Sequence, residues 1–265
     1  MLQLILPEAQ HSLMAFGGIL FAFVATVWAT AKLSRFLPKD AGRAFAHDGK
    51  LSAGKPRGAG IIFVLAFVAA AVLFVPMTAE IIIYLILVVI SMMTGFLDDA
   101  SKTPWGEYKK GFLDLCVAAM VAMTFLKFNS NVVELALFDI TITLHPALFA
   151  VCILGYLWYN ATPSKLMMGD AGSRAMGLFI SIAILKTGSP FLYIPVALVL
   201  ILDGGLGLVK VALLRFLKIH ILKNVRTPLH DHVRKVWDWS NTQTVYRFAI
   251  IQIILGVAVV YGLQV

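Results

Sequence analysis

The stretch IIIYLILVVISMMTGFL, Ile81–Leu97, runs seventeen residues without a charge and then meets Asp98 and Asp99. A bilayer-spanning helix needs about 20 mostly apolar residues, somewhat fewer where flanking side chains snorkel. A carboxylate at mid-bilayer costs roughly 2.5 kcal/mol or more, so the acidic pair belongs at the interface and the run before it crosses the membrane. Seven further stretches have the same character: Ser12–Ala31, Gly58–Thr78, Gly111–Leu126, Leu144–Tyr159, Ala171–Leu185, Ser189–Leu214 and Phe248–Val265. The Ala171–Leu185 run is short. The Ser189–Leu214 run is long and is interrupted by Asp203, Gly204, Gly205 and Gly207, where a break or bend is expected.

The composition agrees. Of the 265 residues 60% are apolar and 14% charged, against roughly half and a quarter in soluble proteins. A globule of this size cannot hide that much apolar surface, and the excess must face lipid. The expectation is an all-α, polytopic transmembrane bundle of about eight spans, residues 1–265 forming a single integral membrane domain. Soluble enzymes, secreted disulfide scaffolds and disordered regulators are excluded. Cys116 and Cys152 lie in apolar runs and read as buried free thiols.

The net charge of +8 is distributed by loop. Lys32, Arg35, Lys39, Arg43, Lys50, Lys55 and Arg57 fall between spans one and two. Lys102, Lys109 and Lys110 follow span three, Lys165 and Arg174 follow span five, and Lys218 to Arg247 separate spans seven and eight. The opposite loops carry Lys127 and Lys186. The positive-inside rule then makes the basic loops cytoplasmic and puts both termini outside. No basic residue precedes the first apolar run, so a cleaved signal peptide is not expected. The basic charge is accounted for by topology, and nucleic acid is not an expected partner.

Four constellations on the cytoplasmic side can carry chemistry. Asp98 and Asp99 repel each other unless a cation or proton lies between them; the bland alternative is a solvated helix end. Gly169-Asp170-Ala171-Gly172-Ser173 joins two spans. Its glycines let backbone amides approach an anion, while Asp170 offers a hard oxygen suited to magnesium. A tight turn with Asp as helix cap explains the same residues structurally. Pro228-Leu229-His230-Asp231-His232 alternates imidazole and acid, suited to a phosphate, a metal or a proton relay, although chance histidines in a polar loop are the simpler account. No cluster accompanies them that would complete a zinc site. Lys55-Pro56-Arg57-Gly58-Ala59-Gly60 leads cations into a helix start, where they can meet phosphate or ordinary lipid headgroups. Asp203, an acid inside a span, is a functional candidate unless it simply faces Lys210 or a wet cavity. Together these groups suit a phosphorylated polar substrate beside a lipid.

The same residues resemble the polyprenyl-phosphate N-acetylhexosamine-1-phosphate transferases (glycosyltransferase 4 family), most of all the branch acting on the muramoyl-pentapeptide. The resemblance rests on Gly95-Phe96-Leu97-Asp98-Asp99, on Leu157-Trp158-Tyr159-Asn160-Ala161-Thr162-Pro163 running into Met168-Gly169-Asp170-Ala171-Gly172-Ser173, on the histidine loop at 228–232, and on Tyr246-Arg247-Phe248 entering the last span. It implies a magnesium-dependent phosphoglycosyl transferase of the bacterial inner membrane, with its site on the cytoplasmic face. Undecaprenyl phosphate would attack the sugar-linked phosphorus of UDP-MurNAc-pentapeptide and release UMP. Asp98 and Asp99 would deprotonate and position the lipid phosphate, and Asp170 would ligate Mg2+. His230 and His232 would flank the diphosphate, and Asn160 would lie in the nucleotide pocket with Lys109 as the lysine after the acidic pair. Lys55, Gly169 and Ser173 would contact substrate, and a homodimer is a candidate assembly.

The chain departs from the family pattern in three ways. The Asp-Gly-rich loop between the acidic pair and the Met-Gly-Asp motif is missing, and eight spans are read where family members have ten. The loss of two consecutive spans with that loop would leave later motifs on the correct side. Asp231 replaces the middle histidine, and Met167 stands where an aromatic usually stacks on uracil. Two alternatives follow: another UDP-sugar such as UDP-N-acetylglucosamine, or a non-catalytic homologue that binds lipid phosphate or a partner protein. A transporter would predict inverted repeats, which are not seen.

Overall fold

The computed structural model describes residues 11–40, 53–101, 103, 105–129, 144–161 and 163–262. Arg43, Lys50, Lys102, Thr162 and the stretch 130–143 lie outside the described residues, as do the last three positions of the eighth expected span. The described residues are helical apart from turns and one isolated bridge, Lys39 to Pro56. Helices α1 (His11–Leu33), α2 (Gly60–Phe74), α3 (Ala79–Ala100), α4 (Glu107–Phe128), α5 (Leu144–Asn160) and α6 (Gly169–Leu185) belong to one compact unit. A second unit holds α7 (Pro190–Val196), α8 (Leu198–Leu217), α9 (Leu229–Val236) and α10 (Asn241–Gly262).

Four helices among the described residues are long and apolar enough to cross a membrane, in α1, α3, α4 and α10, and the bent α7–α8 pair makes a fifth if counted as one span. Helices α2 and α5 are apolar but shorter. Large side chains such as Phe16, Trp28, Leu115, Met123 and Ile253 are more than three-fifths exposed. That exposure suits lipid rather than water.

In the first unit α3 packs along α6, while α1 packs against α2 and α5. Phe67, Phe149 and Phe179 interlock at the centre: Phe149 stacks on Phe179 at 4.0 Å, and Phe67 meets Phe149 edge-on at 5.0 Å. The starts of α2 and α6 touch with no room for a side chain, since a Cβ on Gly60 would lie 1.9 Å from the Gly172 nitrogen. Because chain direction alternates, the ends of α3 and α5 and the starts of α2, α4 and α6 carry the motif residues. At the opposite ends of α3, α4 and α6, Lys186 bridges Glu80 and Asn129 at 2.9 Å each.

In the second unit the interruption of the long span is not at the glycines after Asp203. The chain bends by 69° between Val196 and Leu198, while Ile201–Gly205 stays helical with wider π-type turns. The Pro195 carbonyl and the Val199 N–H, four residues apart, would pair in a continuous helix. Gln252 of α10 stands in for that bond: its Nε2 donates to the Pro195 carbonyl at 3.1 Å, and its Oε1 accepts from the Val199 N–H at 3.1 Å. Replacing Gln252 with Leu is expected to cost about 1–2 kcal/mol, the scale of polar contacts between membrane helices. A lower thermal midpoint in detergent would register it, and an unchanged midpoint would dismiss the plug. Helix α10 itself begins at a reciprocal cap, with Gln243 N–H donating to Ser240 Oγ at 3.1 Å and Ser240 N–H to Gln243 Oε1 at 3.0 Å.

Candidate active site

The strap from Lys55 to Gly60 is held on both sides by backbone hydrogen bonds. Asp40 N–H donates to Lys55 O at 2.9 Å and Arg57 N–H to Pro38 O at 2.8 Å. On the other side Met167 N–H donates to Pro56 O at 2.7 Å and Gly60 N–H to Met168 O at 3.0 Å. This pairing brings Arg57 and the start of α6 to the end of α3. Gly169, at φ +71°, turns the chain into α6 beside Asp99; a Cβ there would lie 2.1 Å from Asp99 Oδ2. No other residue type fits both the angle and the space.

Three carboxylates gather at this point. Asp98 and Asp99 are buried, although they sit where the helix dipole of α3 disfavours negative charge. Cations and amides offset that cost. Lys110 Nζ contacts Asp98 Oδ2 and lies 3.2 Å from Asp170 Oδ2, so one ammonium joins two acids. Asp98 Oδ1 accepts the Trp105 N–H at 2.7 Å. Asp99 Oδ2 accepts the Ala171 N–H at 3.2 Å, and its Oδ1 lies 2.9 Å from Arg57 Nε. The Arg57–Asp99 contact is a charge contact without an aligned hydrogen bond. Arg57 also reaches Asp40 at 3.7 Å. Asp170, in the favourable first turn of α6, keeps a third of its side chain exposed. Asp40, Asp98, Asp99 and Asp170 thus gather around Arg57 and Lys110.

The other expected site residues fall as follows. The Lys109 ammonium sits 3.5 Å from the centre of the Trp105 ring, and it is the adjacent Lys110 that lies on the carboxylates. Lys55 enters through its backbone. Ser173 Oγ donates to the Asp170 carbonyl at 3.4 Å. Asn160 closes its own loop by accepting from Ser164 Oγ at 3.1 Å. Arg57 was a candidate phosphate cation and Asp40 was unmarked; nothing in their spacing signals that they join Asp99.

In the second unit Asp203 faces His230, not Lys210. It accepts the His230 backbone N–H at 2.8 Å and lies 2.8 Å from Nδ1 through Oδ2, while Lys210 donates to the carbonyls of Leu222 and Val225. His232 Nδ1 accepts the Arg226 N–H at 3.3 Å, and its ring meets Trp237 edge-on at 5.9 Å. The hydrogen bond that His230 donates to Asp203 holds the His230 pKa above the ordinary 6.5 against the opposing effect of burial, and the charges of Asp203 and Asp231 add to it. A raised histidine pKa stabilises the fold fully below the ordinary value, and the gain is lost as pH rises through the raised one. Asp203→Asn is therefore expected to lower thermal stability below about pH 6 and to converge with the parent at alkaline pH. Melting curves across pH check this; a gap that does not change with pH would refute the charged pair.

Comparison with known proteins matches residues 130–188 to the model of glycosyl transferase family 4. A phospho-N-acetylmuramoyl-pentapeptide-transferase of Treponema pallidum (strain Nichols) is 35% identical over 297 residues, covering 84% of this chain and 82% of the relative. The proteins of that name from Borrelia hermsii and Borreliella burgdorferi (strain ZS7) are 35% and 37% identical over 111 and 103 residues, covering 42% and 39% of this chain and 31% and 28% of theirs. The Treponema alignment, at 297 residues, is longer than the whole 265-residue chain, so it passes over residues of the relative that this chain lacks.

Proposed function

The chain belongs to the phospho-N-acetylmuramoyl-pentapeptide-transferase group of glycosyl transferase family 4, and from that premise we propose that it transfers phospho-N-acetylmuramoyl-pentapeptide from its UDP-sugar to undecaprenyl phosphate, releasing UMP. The observation that carries this reading is the junction of Asp98, Asp99 and Asp170 with Lys110 and Arg57 where three helix ends meet. An oxygen of the lipid phosphate forms a bond to the sugar-linked phosphorus, and the bond from that phosphorus to the bridging oxygen breaks, the electron pair leaving with UMP. Asp98 and Asp99 take the proton of the lipid phosphate and orient it. Lys110 and Arg57 pair with these acids and present positive charge to the phosphates. His230 and His232 act on the diphosphate, and Asn160, Gly169, Ser173 and Lys55 serve substrate binding.

The donor set fits magnesium. It is all hard oxygen, and Asp170 is the accessible member. Among the described residues no three acids, histidines or cysteines converge into a full cage. Magnesium asks for less, commonly one or two carboxylates with water and substrate phosphates. Asp170 would hold it, and when bound it neutralises charge developing on the diphosphate.

We read residues 1–265 as one transferase domain of eight spans in the bacterial inner membrane, with both termini outside and the acidic junction at the cytoplasmic face. The basic loops support that orientation. The test is UMP release by the purified protein with UDP-MurNAc-pentapeptide, undecaprenyl phosphate and magnesium. Release only with UDP-N-acetylglucosamine would reassign the sugar. No release from folded protein would favour a lipid-phosphate-binding homologue.

A further inference from the structure

Helices α4 and α6 are joined by two ion pairs, one helical turn apart and of opposite sense. Lys110 of α4 pairs with Asp170 of α6 at 3.2 Å, and Asp114 of α4 pairs with Arg174 of α6 at 2.9 Å. The four residues stand at i and i+4 on their helices, so each couple occupies one face and the contacts form two rungs of a ladder. Arg174 is mostly buried, and its Nη1 also donates to Thr94 Oγ1 of α3 at 3.3 Å. Apolar packing of this part of α4 comes from Val117, which is buried one turn beyond Asp114. Phe112 and Leu115 are about two-thirds exposed, and a cleft of about 220 Å³ lies beside the second rung, lined by Ser91, Asp114, Arg174 and Ser181 among others.

We infer that Asp114 and Arg174 are positioning residues that fix the rotation and height of α4 so that Lys110 reaches Asp98 and Asp170 together; this rests on the transferase reading above. A helix rotates about 100° per residue, so a small slip of α4 would carry Lys110 off the carboxylates and toward the placement of Lys109. Half of the Asp114 side chain is exposed, so its Asn variant is expected to fold. What it removes is the charge that holds Arg174 across the interface.

The protein supplies its own reporter positions. Cys116 is exposed on α4 and Cys152 is buried, so a thiol spin label marks α4. Gly177 on α6 has open space where a Cβ would stand, so Gly177→Cys adds a second label without a clash. In Asp114→Asn the interlabel distance is expected to shift or broaden by about 2 Å. With unlabelled protein, kcat should fall about tenfold while KM for the UDP-sugar stays within about threefold, because displaced chemistry rather than lost binding is at stake. Asp114→Glu, which keeps the charge, should restore both readouts. An unchanged distance in folded Asp114→Asn overturns the inference, as does a shifted distance with unchanged kcat. If the parent protein never releases UMP but the distance still shifts, the transferase reading fails and the seating of α4 by this pair stands.

Discussion

Asp170→Asn is expected to abolish magnesium-dependent UMP release, by about a thousandfold or more, in protein that inserts and folds as the parent does. The size follows from the charge removed. A metal clamp on a transferring phosphoryl group supplies several kcal/mol of stabilisation, and each 1.36 kcal/mol is tenfold in rate. Asp170 is the exposed member of the junction, a third open where Asp98 and Asp99 are enclosed, so substrate and metal approach it most directly. Folding is spared because the neutral amide keeps the shape, and an acid in the first turn of a helix gains only about 0.3–1 kcal/mol from the dipole. Lys110 also retains Asp98 as its partner. UMP release against magnesium concentration for parent and variant is the measurement. Activity that survives in Asp170→Asn with the same magnesium dependence would remove the centre of the proposed mechanism.

Lys110→Met should be nearly as damaging, while Lys109→Met should be mild. These neighbours differ by one position, yet one ammonium joins two carboxylates and the other, on an exposed side chain, lies over the half-buried Trp105 ring. Loss of Lys110 leaves the buried Asp98 without its cation, and removing one partner of a buried pair costs about 3–5 kcal/mol. It also withdraws a charge aimed at the reacting phosphates, so a fall in kcat of about a hundredfold or more is expected. An exposed cation–π contact is worth about 0.5–1 kcal/mol, so Lys109→Met should stay within about fivefold of the parent. Lys110→Arg keeps the charge and guards against a folding artefact. Equal losses at the two positions, in variants of equal stability, would show that α4 is rotated from the orientation described.

Much of this molecule is legible in one dimension. Hydropathy identified every helix of the first unit, because lipid exposure acts on each side chain through its own transfer free energy and sums along a segment. The motif residues Asp98, Asp99 and Asp170 could be singled out because acids at the end of an apolar helix need a reason. Gly169 carried a local signal too, through its place in a glycine-rich turn between spans. The bend in the long span was less legible: the Asp203 glycines attract attention, but the chain bends between Val196 and Leu198, and Gln252, some fifty residues away, takes up backbone groups on both sides of the bend.

Pairings across helices belong to the tertiary structure. Sequence order does not say that Lys110 rather than Lys109 reaches Asp170, that Arg57 turns to Asp99, that Asp203 meets His230, or that Asp114 and Arg174 close a second rung. Each depends on the rotation of one helix about its axis relative to another. A single-residue change moves a side chain by about 100°, and only packing between distant segments sets that angle. The sequence therefore determined that this is a helical membrane protein with a phosphate-handling inventory, since burial in lipid is a local and additive preference. Which charges neutralise which was decided by the fold, since an ion pair exists only where two backbones hold its partners within a few ångströms.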